Sequence, residues 1–316
     1  MILIPLILFL ISCLVLVVSG GFLVRLIVKI ASYLRLSEFI AAFVIMAFST
    51  SIPELFVGIS SAISGNPALA LGTVIGSNIA DLTLVIGIAA LLGRGIKSKN
   101  PLIKKNSLFM FLIALVPIAL IMFDQTLSRI DGIILASIFI IYMWHLVKER
   151  KEVKEQFIEN NRKHIALNIF FFILCLGILF LSAHFVVKYA TQLAIELLLP
   201  VMVIGLFLVA IGTSLPELIF ETRAVLAKKG DLAVGDAMGS VVCNSTLVLG
   251  VTAMISPITN SFFIFLTSAI FMAIVTFLFM IFIRSKKGLS ITKSSILIIF
   301  YILFILFEFY FKSRIF

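Results

Sequence analysis

Two nonapeptides carry the residues most able to do chemistry: AFSTSIPEL at 47–55 and AIGTSLPEL at 210–218. Each interrupts a long apolar run with hydroxyls, a proline and one glutamate, Glu54 in the first and Glu217 in the second. A carboxylate at the centre of a bilayer costs about 2.5–3.5 kcal/mol on insertion scales. A proline inside a helix costs roughly 3 kcal/mol, because it removes one hydrogen bond and clashes with the preceding turn. Pro53 takes the helical donor from the carbonyl of Ser49, and Pro216 does the same to Gly212. Freed carbonyls, Thr and Ser hydroxyls and a carboxylate are hard oxygen ligands, suited to Na⁺ or Ca²⁺ rather than to soft transition metals. A single such insert also fits a kinked helix whose hydroxyls satisfy their own backbone. Two copies at matched positions, with no intramembrane lysine evident nearby, point instead to the two halves of one cation site.

A second pair of segments follows: GTVIGSNIAD at 72–81 and GDAMGSVVCN at 235–244. Gly72 and Gly76, like Gly235 and Gly239, are spaced i, i+4, which lets helices approach closely. Ser77 with Asp81, and Ser240 with Asn244, are also spaced i, i+4 and share one helical face. Packing accounts for the glycines but not for a carboxylate and an amide one turn beyond.

These residues need elements to position them. The 316-residue chain is 62% hydrophobic and 13% charged, against about 25% charged in soluble domains. Apolar runs long enough to cross the hydrocarbon core, about 20 residues at 1.5 Å each, recur almost end to end. The expected fold is an all-α polytopic membrane protein with ten transmembrane helices, at 2–24, 38–63, 68–93, 107–123, 130–147, 165–187, 200–226, 232–255, 262–283 and 291–311. The N-terminus lacks a basic region before its apolar run, so it is expected to be a retained span and not a cleaved signal. The charged stretch 148–164 is too short for a soluble domain, regulatory or otherwise, and reads as a linker.

The halves repeat. A shift of 163 positions carries Glu54 onto Glu217, Asp81 onto Asn244, SGGFLV (19–24) onto SAHFVV (182–187) and LTLVIG (82–87) onto STLVLG (245–250). Because each half holds five spans, the second enters from the opposite side, giving two inverted five-helix repeats. The expected units are 1–147, with a core of about 38–93, and 165–316, with a core of about 200–255. With the N-terminus outside, 21 of the 25 Lys and Arg residues fall in inner segments, so both termini are expected outside and the 148–164 linker in the cytoplasm. Topology therefore explains the formal charge of +10, and no nucleic-acid partner is required. Cys13, Cys175 and Cys243 lie in predicted spans without metal-like spacing, and His145, His164 and His184 are scattered.

The paired segments resemble the α-repeats of the calcium/cation antiporter superfamily, most of all the compact prokaryotic sodium/calcium exchangers. The resemblance implies a plasma-membrane antiporter, not an enzyme, that exchanges Ca²⁺ for Na⁺ by alternating access and uses no cofactor. It implies that Glu54 and Glu217 hold Ca²⁺. Thr50, Thr213, Ser51, Ser214, Ser77 and Ser240 and the carbonyls of Ala47 and Ala210 would surround the ions, with Asp81 and Asn244 completing the centre. The partners are then the two ions and the lipid bilayer. A proton-coupled or potassium-involving exchanger of the same fold is the alternative.

Some residues depart from the motif. Ser49 stands where Gly is usual, Thr73 and Asp236 where Asn is usual, and Glu221 and Arg223 where the chain is normally small and apolar. Helix rise puts Glu221 about 6 Å, and Asp236 about 12 Å, to the cytoplasmic side of Glu217 and Asn244 respectively. Their repeat partners, Gly58 and Thr73, are neutral. The pair forms either an acidic inner vestibule or local ion pairs with Arg223, Lys228 or Lys229.

Other classes fit less well. The chain has no P-loop for an ATP-driven pump. VGD at 234–236 shares part of the GxGD motif of intramembrane aspartyl proteases, but Ala233 replaces its first glycine and no second aspartate has a matching context. Paired carboxylates that bind ions strongly suit occlusion better than the fast conduction of a channel.

Overall fold

The computed structural model describes residues 3–31, 47–98, 100–148, 165–259 and 262–312. The linker 148–164, apart from Lys148, and the predicted beginning of the second span at 38–46 lie outside the described residues. The described chain is helical almost throughout. Seven helices are long and apolar enough to cross a membrane, and the bent pair Val201–Thr213 and Leu215–Leu226 makes an eighth candidate. Leu3–Ser19 and Ile52–Ile63 are apolar but shorter.

Several helices outrun the expected spans. The first covers Leu3–Ala31 and the sixth Ile165–Glu196, against expectations of 2–24 and 165–187. The fourth covers Pro101–Asp124 instead of 107–123. Its early start has a local cause: the Asn100 side chain accepts a hydrogen bond from the Leu102 amide at 3.0 Å, and Pro101 sits where a missing donor is harmless. The expected single span at 200–226 is broken, bending by 40° at Ser214.

Polar and apolar groups are placed inside out relative to a soluble protein. Large apolar side chains such as Leu10, Leu14, Ile140, Leu181, Ile274 and Leu306 are exposed, as a lipid-facing surface requires. Carboxylates and hydroxyls lie inside instead, with Glu54, Asp81, Glu217, Glu221 and Asp236 all buried.

The 163-position shift reappears in backbone detail. The helix before each Pro-Glu stops at a serine with nearly identical angles, Ser51 (φ −79°, ψ 0°) and Ser214 (φ −81°, ψ 3°). Each following helix ends in a tight reversal with a left-handed residue, Gly65 at φ 73° and Lys228 at φ 60°. The reversals are closed by equivalent hydrogen bonds, Asn66 N–H to Ser61 and Lys229 N–H to Ala224. The next helices, Pro67–Ala80 and Gly230–Cys243, both widen into a π-helical turn, at Asp81–Val85 and Asn244–Val248. Even the loop pairings are images of each other: Thr126 pairs with Thr259, and Ile96 with Leu289.

The halves interlock. Pro67–Ala80 packs along Val201–Thr213, Gly230–Cys243 packs against Ala47–Thr50, and the two long first helices, Leu3–Ala31 and Ile165–Glu196, run together. Glycine permits the first of these contacts. A Cβ on Gly72 would lie 2.1 Å from the Met202 carbonyl oxygen, and one on Gly76 2.1 Å from that of Leu206. Both distances are impossible without separating the helices.

Candidate functional site

Each Pro-Glu insert faces the Gly-Ser helix of the opposite half. The Thr50 hydroxyl lies 3.3 Å from that of Ser240, and the equivalent Thr213 hydroxyl lies 3.3 Å from that of Ser77. These two hydroxyl pairs, related by the same shift, tie the halves together at the centre of the molecule. The break explains why the threonines can reach across. Thr50 and Thr213 are the last helical residues before the serine hinge, and the chain bends away immediately after them.

The glutamates enter in the first turn of the following helices. Glu54 accepts a hydrogen bond from Ser77 at 3.3 Å through Oε1, while its Oε2 has no partner. Glu217 has no partner at either oxygen and is fully buried. Asp81 and Asn244 open their π-helical turns at equivalent positions, and neither side chain has a partner at any polar atom. The Ser214 hydroxyl lies beside Asp81, and Ser51 Oγ and Ser214 Oγ have no hydrogen-bond partners. Burying an unpaired ionised carboxylate is so costly that buried charges are normally paired or coordinated to metal. A helical protein that buries this many orphaned oxygens together has the donor set for a desolvated cation.

The Ala47 and Ala210 carbonyls are already engaged within their own helices. The Ala47 carbonyl accepts from the Ser51 amide at 3.0 Å and the Thr50 hydroxyl at 3.2 Å. The Ala210 carbonyl likewise accepts from the Ser214 amide at 3.0 Å and the Thr213 hydroxyl at 3.2 Å. Each carbonyl is already used twice here, so the threonine must rotate before a cation can take its place. Among the described residues no three His, Cys, Asp or Glu side chains close into a metal centre by themselves.

Asp236, for which the sequence leaves open an acidic vestibule or local ion pairs, reaches Thr50. Its Oδ1 accepts from the Thr50 hydroxyl at 3.4 Å, and its Oδ2 has no partner. The signal was available: Asp236, Ser240 and Asn244 continue one face at i, i+4, i+8. Glu221 stands one turn beyond Glu217, again with both oxygens unpartnered. Neither Glu221 oxygen accepts a hydrogen bond from Arg223, Lys228, Lys229 or any other described residue. Cys243 is buried beside Ser51, and the three cysteines are free.

Comparison with known proteins defines the class. The sodium/calcium exchanger protein family model matches residues 4–148 and 167–310, and the chain belongs to this family of multi-pass membrane antiporters. Within it, the chain is 27% identical to the sodium/calcium exchanger MaX1 of Methanosarcina acetivorans, over 93% of this chain and 95% of that protein. It is 30% identical to the inner membrane protein YrbG of Escherichia coli, over 67% of this chain and 68% of that one. A solved structure of the sodium-calcium exchanger NCX_Mj superposes with a TM-score of 0.70 at 26% identity, covering 97% of this chain and 99% of that one.

Proposed function

We propose that this protein exchanges Ca²⁺ for Na⁺ across the plasma membrane, binding them alternately at the central site. Ten spans would form two inverted five-helix repeats, residues 1–147 and 165–316, joined by a cytoplasmic linker at 148–164, with both ends of the chain extracellular. Family membership supports the cation and calcium chemistry. The observation that carries the site is the pair of hydroxyl bridges, Thr50 with Ser240 and Thr213 with Ser77, which set two buried glutamates between the halves.

In this reading Glu54 and Glu217 are the charged Ca²⁺ ligands. Thr50, Thr213, Ser51, Ser214, Ser77 and Ser240, together with the carbonyls of Ala47 and Ala210, serve Na⁺ and complete the Ca²⁺ shell. Asp81 and Asn244 close the centre. Na⁺ needs fewer charges and tolerates hydroxyl and carbonyl oxygens, whereas Ca²⁺ takes six to eight oxygens including carboxylates. One compact set can therefore hold either cargo, but not both at full occupancy. Rotation of Thr50 and Thr213 off the Ala47 and Ala210 carbonyls offers a route by which one ion's shell becomes the other's. Alternating access follows from the repeat: one half rocks against the other about the fixed site. No cofactor has a role in this mechanism.

Reconstituted vesicles loaded with ⁴⁵Ca²⁺ test the reading. An imposed Na⁺ gradient should drive Ca²⁺ movement in the opposite direction, and K⁺ or pH gradients alone should not. Movement that follows a pH gradient, or that requires K⁺ beside Na⁺, would instead establish the proton-coupled or potassium-involving alternative.

A further inference from the structure

The two halves match closely at the central site, but the second half carries an extension that the first half lacks. Helix Leu215–Leu226 and helix Gly230–Cys243 form an antiparallel hairpin around the reversal at Lys228. Moving from the centre toward that reversal, Glu217 is followed by Glu221, and Ser240 by Asp236. Glu221 and Asp236 are both fully buried and stand on the two packed helices of this hairpin. Neither Glu221 oxygen has a partner, nor does Asp236 Oδ2. The remaining oxygen, Asp236 Oδ1, accepts from Thr50 at 3.4 Å.

The equivalent place in the first half is closed. Gly58 stands where Glu221 would be, and a Cβ there would meet the Thr252 hydroxyl at 2.6 Å. Thr73 stands where Asp236 would be, and its hydroxyl turns back to the Leu69 carbonyl at 2.9 Å. The second half thus buries two extra carboxylates that, among the described residues, have no basic partner and no hydrogen-bond donor for three of four oxygens, and their repeat positions hold Gly58 and Thr73. Like charges brought together out of water repel strongly, and the repulsion is relieved by protonation or by a positive ligand held between them.

We infer that Glu221 and Asp236 form a second divalent-cation site, one turn from the central site and joined to it by the Thr50 hydroxyl. The inference rests on the exchanger reading for its cargo chemistry. Two carboxylates neutralise one divalent ion, and hard oxygens select calcium over softer metals. Magnesium gives up its water reluctantly and suits an enclosed site less well. An ion held there would be the next to enter, or the last to leave, the central site.

Equilibrium dialysis of the purified full-length protein in detergent, with ⁴⁵Ca²⁺ and without Na⁺, measures the number of ions bound. The wild type should bind two Ca²⁺ per chain. Glu221→Gln with Asp236→Asn should lose one and keep the other, while Glu54→Gln with Glu217→Gln should lose the complementary ion. A wild type that binds one ion, retained when Glu221 and Asp236 are neutralised, would overturn the second site and leave the central one standing. Loss of all binding in that variant would also overturn it, by making the pair part of a single site. A wild type that binds no Ca²⁺ would remove both. If the amide variant does not run as a monodisperse peak on gel filtration, Glu221→Gly with Asp236→Thr gives the same readout using the residues the first half already carries.

Discussion

Glu54 and Glu217 are equivalent by position but not by surroundings. Ser77 faces Thr213 and also donates to Glu54, whereas Ser240 faces Thr50 and Glu217 has no hydrogen-bond partner among the described residues. Asp236 also accepts from Thr50 at 3.4 Å, whereas Thr73 at the equivalent place turns back to the Leu69 carbonyl. Asp81 and Asn244 break the symmetry in the opposite sense, with the carboxylate in the first half. If the proposed site is right, their shared position calls for an oxygen ligand there and not for its charge. Asp81→Asn should therefore retain measurable Ca²⁺ transport, reduced by less than tenfold, or about 1.4 kcal/mol, when ⁴⁵Ca²⁺ flux is compared at equal protein. Flux as low as that of Glu54→Gln would make Asp81 an obligatory charged ligand. At this scale the burial of both glutamates was legible in the sequence, because a glutamate within a long apolar run has to lie inside the bundle. Glu221 and Asp236 were seen, but whether they pair with lysine or face the site depended on which way each hairpin face turns. That is a tertiary fact, and the i, i+4, i+8 stripe was its only trace.

The elements owe their placement to breaks and close approaches. Serine hinges at Ser51 and Ser214 follow from the prolines and were foreseeable as interruptions, though the 40° bend at Ser214 was not. The π-helical turns at Asp81–Val85 and Asn244–Val248 had no visible signal, since a one-residue widening of a helix leaves hydrophobic periodicity almost unchanged. In both, a threonine hydroxyl donates to a carbonyl one turn back, Thr83 to Ile79 and Thr246 to Val242. Such turns recur at functional sites because they re-aim side chains. The spacing of Gly72 and Gly76 does serve close packing, and it carries a sharp prediction. Gly76→Ala would place its Cβ 2.1 Å from the Leu206 carbonyl oxygen and 2.7 Å from the Ala210 Cβ. Overpacking of this kind typically costs about 1–3 kcal/mol. It should lower the melting temperature in detergent and abolish exchange, because the displaced helix carries Thr213. Gly21→Ala, whose Cβ would meet nothing within 4 Å, should leave both unchanged. Equal effects of the two substitutions would argue against the close approach.

At the scale of the whole molecule, a repeat in sequence became a repeat in backbone angles, hairpin closures, π-helical turns and loop pairings, all at one offset. Orientation is a separate matter, because helices fix neither which side is the cytoplasm nor how charge is distributed around a bilayer. It rests on the lysine and arginine asymmetry. A single cysteine placed in the 148–164 linker of an otherwise cysteine-free chain should be labelled by a membrane-permeant maleimide and not by an impermeant one in intact cells. Labelling by the impermeant reagent would invert the molecule in the membrane. The central claim is that each half supplies one charged ligand to a single Ca²⁺ site. Its most direct test is Na⁺-gradient-driven ⁴⁵Ca²⁺ uptake into vesicles containing wild type, Glu54→Gln or Glu217→Gln at matched protein content. Both variants should insert normally and lose uptake to background, each alone, since neither half can replace the other's carboxylate. Wild-type uptake in either correctly inserted variant would contradict the account.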